Sequence, residues 1–283
     1  MTIALTGASG GVGGAVLHKL EGSPILIGRT ASQLPDGYEH REAAYGDKAM
    51  ESALAGVDTL FFVSGRESAT RLDEHLSVVD AAASAGVQRI VYLSFLGAAA
   101  DSTFTLARHH YFTEEAIRRS GMTFTCLRDS LYQDYLPMMM GADGVIRGPA
   151  GTGRLSAVAR DDVAEVAAEV LRSAVDGVHD GATYDVTGPE ALTLAEVAGE
   201  IAAASGKSVS FFDETEEEAY ASRAKFNAPA FEVEGWVTSY QSIAAGEMSG
   251  VSRDVELVIG RPPMAFAEFL AAHPESLAHL GTQ

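Results

Sequence analysis

Short apolar runs recur along the first half of the chain, at residues 3–5, 25–27, 59–63, 89–93 and 123–127, separated by stretches with helical spacing. Such alternation predicts a parallel sheet with helices on both faces, since each run is the length of a strand buried on both sides. The clearest helix is expected over 71–85, where Leu72, Leu76, Val79 and Ala83 recur at spacings of three or four and Gly86 supplies a C-terminal stop. Arg71, Asp73, Glu74 and Asp80 fall mostly between those positions, so the helix is expected to pack by one face. After about residue 130 the rhythm changes: a Gly- and Pro-rich loop (141–153) leads to a helix over 161–173 and a strand over 183–186. A helix over 194–205, a strand over 209–212 and helices near 214–225 and 264–271 follow. The expectation is an α/β protein: a doubly wound core over 1–130, then mainly a small C-terminal α/β subdomain over 131–283, with some segments returning to the core.

Composition narrows this picture. The 283 residues are 47% hydrophobic and 21% charged, enough apolar material for a sizeable core, and no repeat of fixed period is visible. With 20 Lys+Arg against 39 Asp+Glu the formal charge is −19, which makes nucleic acid and anionic membrane poor partners except at a locally basic pocket. The single cysteine, Cys126, lies in an apolar run, which fits a reducing cytoplasm. No signal-peptide pattern precedes the first strand, and no apolar run approaches the roughly 18 residues of a membrane span.

The strongest chemical signal is Thr6-Gly7-Ala8-Ser9-Gly10-Gly11-Val12-Gly13-Gly14, between the first predicted strand and a helix beginning near Ala15. Its glycines permit a tight turn and close backbone approach to a pyrophosphate, and the helix N-terminus supplies N–H donors. Thr6, Gly7, Ser9, Gly10, Gly11, Val12 and Gly13 are therefore candidate cofactor contacts. The loop lacks the Lys-Ser/Thr ending of a nucleoside-triphosphate loop. At the end of the second strand, where an NAD-specific site carries a carboxylate, stands Arg29, followed by Thr30 and Ser32. A guanidinium suits a 2′-phosphate, which points to NADPH; a merely solvated Arg29 would leave NADH open. Asp47 can contact an adenine edge or cap the following helix.

These residues bring the chain into resemblance with the NmrA-like atypical short-chain dehydrogenase/reductases, and most closely with the type-2 NADPH:quinone oxidoreductases. The likeness is carried by Gly7-x-x-Gly10-x-x-Gly13, Gly28-Arg29, Tyr45-Gly46-Asp47 and Tyr92-Leu93-Ser94-Phe95-Leu96. It continues through Leu127-Arg128-Asp129-Ser130-Leu131-Tyr132, Arg160-Asp161-Asp162-Val163-Ala164, Tyr184-Asp185-Val186-Thr187-Gly188 and residues 194–206. The resemblance implies an NADPH-bound Rossmann domain (NADP as the oxidised form) with a small substrate subdomain.

The chain departs from the wider superfamily in having no Tyr-x-x-x-Lys pair: Tyr111 is followed four positions later by Glu115, and a glutamate would raise the phenol pKa that a lysine lowers. Rough register places His110 where some atypical members carry a catalytic lysine. It is read either as a residue facing nicotinamide or ribose, or as an exposed helical histidine paired with Glu114. Quinone reduction asks little of a protein acid, because water or one histidine can protonate the hydroquinone anion. Candidate walls follow successive strands: Phe62, Val63, Ser64 and Gly65, then Ser94, Phe95 and Leu96, then Tyr132 and Tyr135, each aromatic being alternatively core. Val63, Ser64, Gly65, Ser94 and Phe95 are expected beside the cofactor, and His110 and Tyr132 at the substrate.

Met138, Met139 and Met140 read as an adaptable lid or as core beside a turn, and Thr215-x-x-Glu218 as a capping box. His109 and His110 are adjacent and cannot share a metal as an i,i+4 pair does; His-Glu-x-x-His, paired-Cys and Gly-x-Ser-x-Gly motifs are absent. The leading expectation is an NADPH-dependent oxidoreductase acting on a quinone or another small conjugated carbonyl. The alternative is a non-catalytic NADP(H)-binding redox sensor of the NmrA type, and a sugar-nucleotide epimerase or dehydratase comes third. A homodimer or a regulatory protein partner is left open.

Overall fold

The computed structural model describes residues 1–280. The chain divides into two compact units, residues 1–100, 108–129 and 163–185 forming the first, and residues 101–107, 130–162 and those from 186 onward the second. In the first, strands β1 (Ile3–Thr6), β2 (Ile25–Gly28), β3 (His40–Glu42), β4 (Thr59–Val63), β5 (Arg89–Phe95) and β6 (Thr123–Asp129) alternate with helices α1 (Gly11–Lys19), α2 (Ala49–Ala53), α3 (Arg71–Ala85) and α4 (Thr105–Arg119). Strands β7 (Val145–Gly148) and β8 (Arg154–Leu155) and helix α5 (Arg160–Arg172) intervene before β9 (Thr183–Val186) completes the sheet. Sheet order is β3-β2-β1-β4-β5-β6-β9, with every neighbouring pair from β3 to β6 parallel.

All five apolar runs became strands, because each is buried among helices: Leu5, Leu26, Leu60, Phe61, Ile90, Val91 and Leu127 are fully shielded. The charged β3 strand, His40-Arg41-Glu42, has no apolar signature and is held at the sheet edge by backbone pairing with β2. From β1 the chain passes to β2 on one side and later to β4 on the other. A crevice is thereby left at the strand ends between β1 and β4. Cys126 sits buried in β6, where burial pushes its thiol up to about 12. Among the described residues, no helix is long and apolar enough to cross a membrane.

Helix α3 spans the expected residues but buries a different stripe. Its shielded positions are Arg71, His75, Val78, Val79 and Ala82, whereas Ala83 is exposed and Leu72 and Leu76 are only half-buried. Hydrogen bonds to the two polar side chains offset the cost of burying them, so polar residues occupy a face that an apolar pattern could not mark.

The second unit has two small sheets, β7 paired in parallel with β11 (Ser210–Asp213) and β8 antiparallel with β10 (Leu192–Thr193). Its helices are α6 (Leu194–Ser205), α7 (Glu216–Arg223), α8 (Ala230–Ala244), α9 (Asp254–Ile259) and α10 (Phe266–Ala272). The 141–153 segment, expected as loop, contains β7, since Val145 to Gly148 find backbone partners in β11. The Thr215 and Glu218 capping box forms, starting α7 at Glu216 and leaving Glu214 outside the helix. Helix α8 is not among the expected elements, although Val233, Trp236, Val237, Tyr240 and Ile243 recur at helical spacing. It follows Pro229, and its buried Tyr240 and Ile243 pack where Gly148 and Gly153 leave no room for a Cβ.

One buried ion cluster ties α4, β5 and β6 together. The fully shielded carboxylate of Glu114 accepts from Ser94 Oγ at 2.6 Å, from Arg128 Nε and Nη2 at 2.8 and 2.7 Å, and from Arg118 Nη2 at 2.9 Å. Burial raises its pKa, and the hydrogen bonds from Arg128, Ser94 and Arg118 outweigh that and hold the group below the usual carboxylate range. Glu114→Gln should therefore cost roughly 3 kcal/mol of stability by leaving the guanidiniums uncompensated. Urea unfolding reads the loss, and a change under about 1 kcal/mol would count against the cluster as a tie.

Candidate functional site

A cavity of about 420 Å³ opens in the first unit where β1, β2 and β4 end. Gly7, Ser9 and Gly10 line it after β1, Gly28, Arg29 and Thr30 at the end of β2, and Val63, Ser64, Gly65 and Arg66 after β4. Gly7 adopts φ +69°, and a Cβ there would come within 2.8 Å of Val63 Cβ. A Cβ on Gly13 would overlap the Gly7 carbonyl, so this glycine lets the helix start against the turn. The Gly10 N–H bonds the Gly7 carbonyl at 2.9 Å, closing the turn. Helix α1 then begins with neither a side-chain cap nor an acidic residue in its first turn, which leaves N–H groups and the positive dipole end for an anion.

Seven of the anticipated cofactor residues line this cavity: Gly7, Ser9, Gly10, Arg29, Val63, Ser64 and Gly65. Thr6, Gly11, Val12, Gly13 and Asp47 do not, and they shape its surroundings. Thr6 is fully buried, its hydroxyl donating to the Phe61 carbonyl and accepting the Val63 N–H at 3.0 Å, which joins β1 to the β4 end. Asp47 Oδ2 accepts the Ala44 N–H at 3.0 Å in the turn before α2. Two guanidiniums reach the cavity, Arg29 and Arg66, and neither has a hydrogen-bond or ion-pair partner among the described residues. Arg66 was not singled out in the sequence, although it obeys the same strand-end rule as Arg29.

The turn after β4 is gripped from behind. Tyr45 Oη donates to the Val63 carbonyl at 2.6 Å, Arg71 Nε donates to the Gly65 carbonyl at 2.8 Å, and the Gly65 N–H donates to His75 Nε2 at 2.7 Å. Arg71 Nη2 also lies 2.8 Å from His110 Nε2, and His110 Nδ1 lies 3.0 Å from Tyr92 Oη. A guanidinium and a backbone N–H only donate, so Nε2 of both histidines is an acceptor and the ring proton of each is on Nδ1. His75 Nδ1–H then donates to Thr113 Oγ1 at 3.0 Å, and the Thr113 hydroxyl donates onward to the His109 carbonyl.

Burial and the adjacent Arg71 charge depress His75 to about 2 and His110 well below its ordinary value. Burial raises Tyr92 above the ordinary phenol range and lowers Arg71 below the ordinary guanidinium range. Arg71 Nη1 is buried without a partner. Arg71 and His75 were missed as site residues; their i,i+4 spacing puts them on one helix face, and only the packing shows that the face is inward.

His110 is thus neither exposed nor paired with Glu114: it is 5% exposed and both ring nitrogens are engaged. Ser94 is buried with its hydroxyl on Glu114, and the Phe95 ring lies 6.0 Å from that of His110. Tyr132 belongs to the second unit, where the Arg160 guanidinium sits 5.1 Å from its ring centroid. Among the described residues, no group of three or more His, Cys, Asp or Glu side chains is placed to hold a metal ion.

This crevice, with its glycine turn, bare helix end and free cations, is a dinucleotide-type anion cradle at the switch point of a doubly wound sheet. Residues 7–174 match the model of the NAD(P)H-binding family, and the chain belongs to that family. It is 33% identical to quinone oxidoreductase 2 of Escherichia coli over 94% of this chain and 96% of that protein. It is 29% identical to the NAD(P)H azoreductase of Xenophilus azovorans over 96% and 97% of the two chains. The crystal structure of the Escherichia coli NADPH-dependent quinone oxidoreductase with NADPH superposes with a TM-score of 0.86 at 31% identity, covering 99% of this chain and 100% of that one.

The two depressed histidines make stability depend on pH. Each stays neutral in the folded state but takes a proton when unfolded, so their contribution is complete above about pH 6.5 and declines as the pH falls below it. The expected decline is about 1.4 kcal/mol per pH unit for each histidine. Unfolding free energies between pH 7 and pH 5 should fall more gently in His75→Gln than in the parent chain. Parallel slopes would contradict the buried neutral pair.

Proposed function

We propose that the chain is an NADPH-dependent oxidoreductase that passes hydride to a quinone or a similar small conjugated carbonyl. The observation that carries this reading is the pair of unpartnered guanidiniums, Arg29 and Arg66, in the switch-point cavity of a chain with formal charge −19. Free cations in a glycine-lined crevice suit the phosphates of a dinucleotide, and Arg29, at the end of β2, suits a 2′-phosphate. When bound, NADPH supplies the hydride: NADPH, one proton and a quinone give NADP⁺ and hydroquinone.

The protein's share of the work is positioning. The glycine turn and the N-terminus of α1 would hold the pyrophosphate, and Arg29 and Arg66 would hold the phosphate of the adenosine end. The Val63 to Gly65 turn, fixed by Tyr45, Arg71 and His75, forms a rigid wall. His110 acts here as a positioning residue: with its Nε2 lone pair committed to Arg71 and its pKa far below neutrality, it carries no spare proton near pH 7. Water protonates the hydroquinone anion. The names of the quinone- and azo-reducing relatives support a conjugated acceptor. The single thiol, buried and unable to form an internal disulfide, favours a reducing cytoplasm.

Quinone-dependent oxidation of NADPH by the purified protein is the first expected result; tight NADPH binding with no turnover would move the reading to a redox sensor. Arg29→Glu should raise the KM for NADPH by about 10- to 100-fold while changing that for NADH little. Equal losses for both cofactors would refute the assignment.

A further inference from the structure

Behind the crevice of the first unit lies a buried positive charge that no ion pair cancels. Arg71, the first residue of α3, is 3% exposed and has no salt-bridge partner among the described residues. Its Nε donates to the Gly65 carbonyl and its Nη2 to His110 Nε2, both uncharged acceptors, and its Nη1 is buried without a partner. Burial and the Arg71 charge itself keep His75 and His110 neutral, and burial keeps the proton on Tyr92. Glu67 and Asp129 favour the cationic form without contact. A guanidinium does not give up its proton in a folded protein, so Arg71 carries a full charge in surroundings that screen it poorly.

The topology gives this charge a side. Gly65, which lines the crevice, follows β4, whereas Arg29 stands at the end of β2, on the other side of β1. From Gly65 the Arg71 side chain runs on to His110 of α4, whose ring lies beside Tyr92 and Phe95 of β5, away from β2. The cation therefore lies toward the half of the switch point opposite Arg29, the half that takes the nicotinamide when the adenosine end is at β2.

Reduced and oxidised forms of the cofactor share the same phosphates and differ by one charge, the nicotinamide ring being neutral in one and cationic in the other. Arg29 and Arg66 act on the shared phosphates and favour both forms. Glu74 also lines the crevice and has the opposite sign, but its carboxylate is held by Thr70 at 2.6 Å in an exposed pair, where water and salt screen it. The poorly screened charge is the one that discriminates.

We propose that Arg71 makes the crevice select the reduced cofactor over the oxidised one, by the field of its uncompensated charge on the nicotinamide ring. The inference rests on the dinucleotide reading of the crevice and assigns to one residue, which does not itself line that crevice, the discrimination of redox state. A reductase so built takes the reduced form from a mixed pool and holds the oxidised product weakly.

Calorimetric titration of the full chain with NADPH and with NADP⁺, without an acceptor, measures the ratio of the two Kd values. In the parent chain NADPH should bind about tenfold more tightly, the order expected for unit charges interacting across a protein interior. Both affinities should fall between about 0.05 and 0.5 M salt while their ratio changes by less than about twofold, because the discriminating charge is buried. Arg71→Met should weaken both forms, since the Gly65 carbonyl loses its donor, and should bring the ratio toward one. Arg71→Lys should weaken both but keep the ratio. A ratio near one in the parent chain, a ratio that collapses with salt, an undiminished ratio in Arg71→Met, or a ratio lost equally in Arg71→Lys would each overturn the proposal. The parent titrations decide it even where the methionine variant fails to fold. Equal binding of the two forms would reject the role of Arg71 and keep the dinucleotide crevice, whereas binding of neither would reject both.

Discussion

A buried guanidinium with no ion pair among the described residues, whose charge the Glu67 and Asp129 carboxylates favour without contact, organises the first unit. Arg71 is 3% exposed, and its two anchoring contacts are the Gly65 carbonyl and the neutral His110 ring, neither of which carries a compensating charge. Desolvation of a cation is costly and lowers its pKa, as the packing around Arg71 does. The charge nevertheless fixes its surroundings: it settles the tautomer of His110, helps to keep His75 neutral and pins the turn at the end of β4. The turn then takes its position from hydrogen bonds on both sides of Gly65 and from Tyr45 on Val63, so the cavity wall does not depend on a ligand to order it.

The distribution of charge follows from the same logic at larger scale. A net charge of −19 gives the surface a repulsive field for phosphates, yet among the described residues Arg29 and Arg66 form no ion pair, although Glu74 lines the same cavity. Elsewhere the arginines are mostly spent on carboxylates, as in Arg118 and Arg128 on Glu114, Arg154 on Glu196 and Arg223 on Glu214. A cation left unpaired in an acidic protein is therefore informative, because the chain had ample carboxylates to pair it with. Local cations inside concave walls focus the field where the overall charge would otherwise keep anions away.

The sequence made the scaffold legible where geometry restricts residue choice. The strands of the parallel sheet are short runs of apolar residues because both faces are covered, and Gly7 and Gly13 are glycines because any Cβ would strike Val63 or the Gly7 carbonyl. What stayed hidden was polar burial and irregular packing. Arg71 and His75 look like solvent-facing positions of α3 until the hydrogen bonds to Gly65 are known, and the Leu72, Leu76 and Ala83 positions, which carry the apolar spacing, are the less shielded ones. Helix α8 carries helical spacing in Val233, Trp236, Val237, Tyr240 and Ile243, and what the sequence could not show is the surface it packs on, Gly148 against Tyr240 and Gly153 against Ile243. His110 was singled out by register, but the consequence of its neighbours, a histidine locked neutral, follows from Arg71 and Tyr92 and from no local motif.

The missing tyrosine and lysine pair acquires a physical sense in this setting. Reactions that protonate an alkoxide need a phenol whose pKa a nearby lysine has lowered. Here the buried phenol nearest the histidines, Tyr92, is pushed the other way, and both histidines are depressed, so the cluster neither gives nor takes a proton near neutrality. A hydroquinone anion is a far weaker base than an alkoxide, and water suffices for it. The same polar residues that would form an acid–base relay in another reductase are committed here to holding a turn. An acceptor whose reduction ends in a stabilised anion is the one such a site can serve without further machinery.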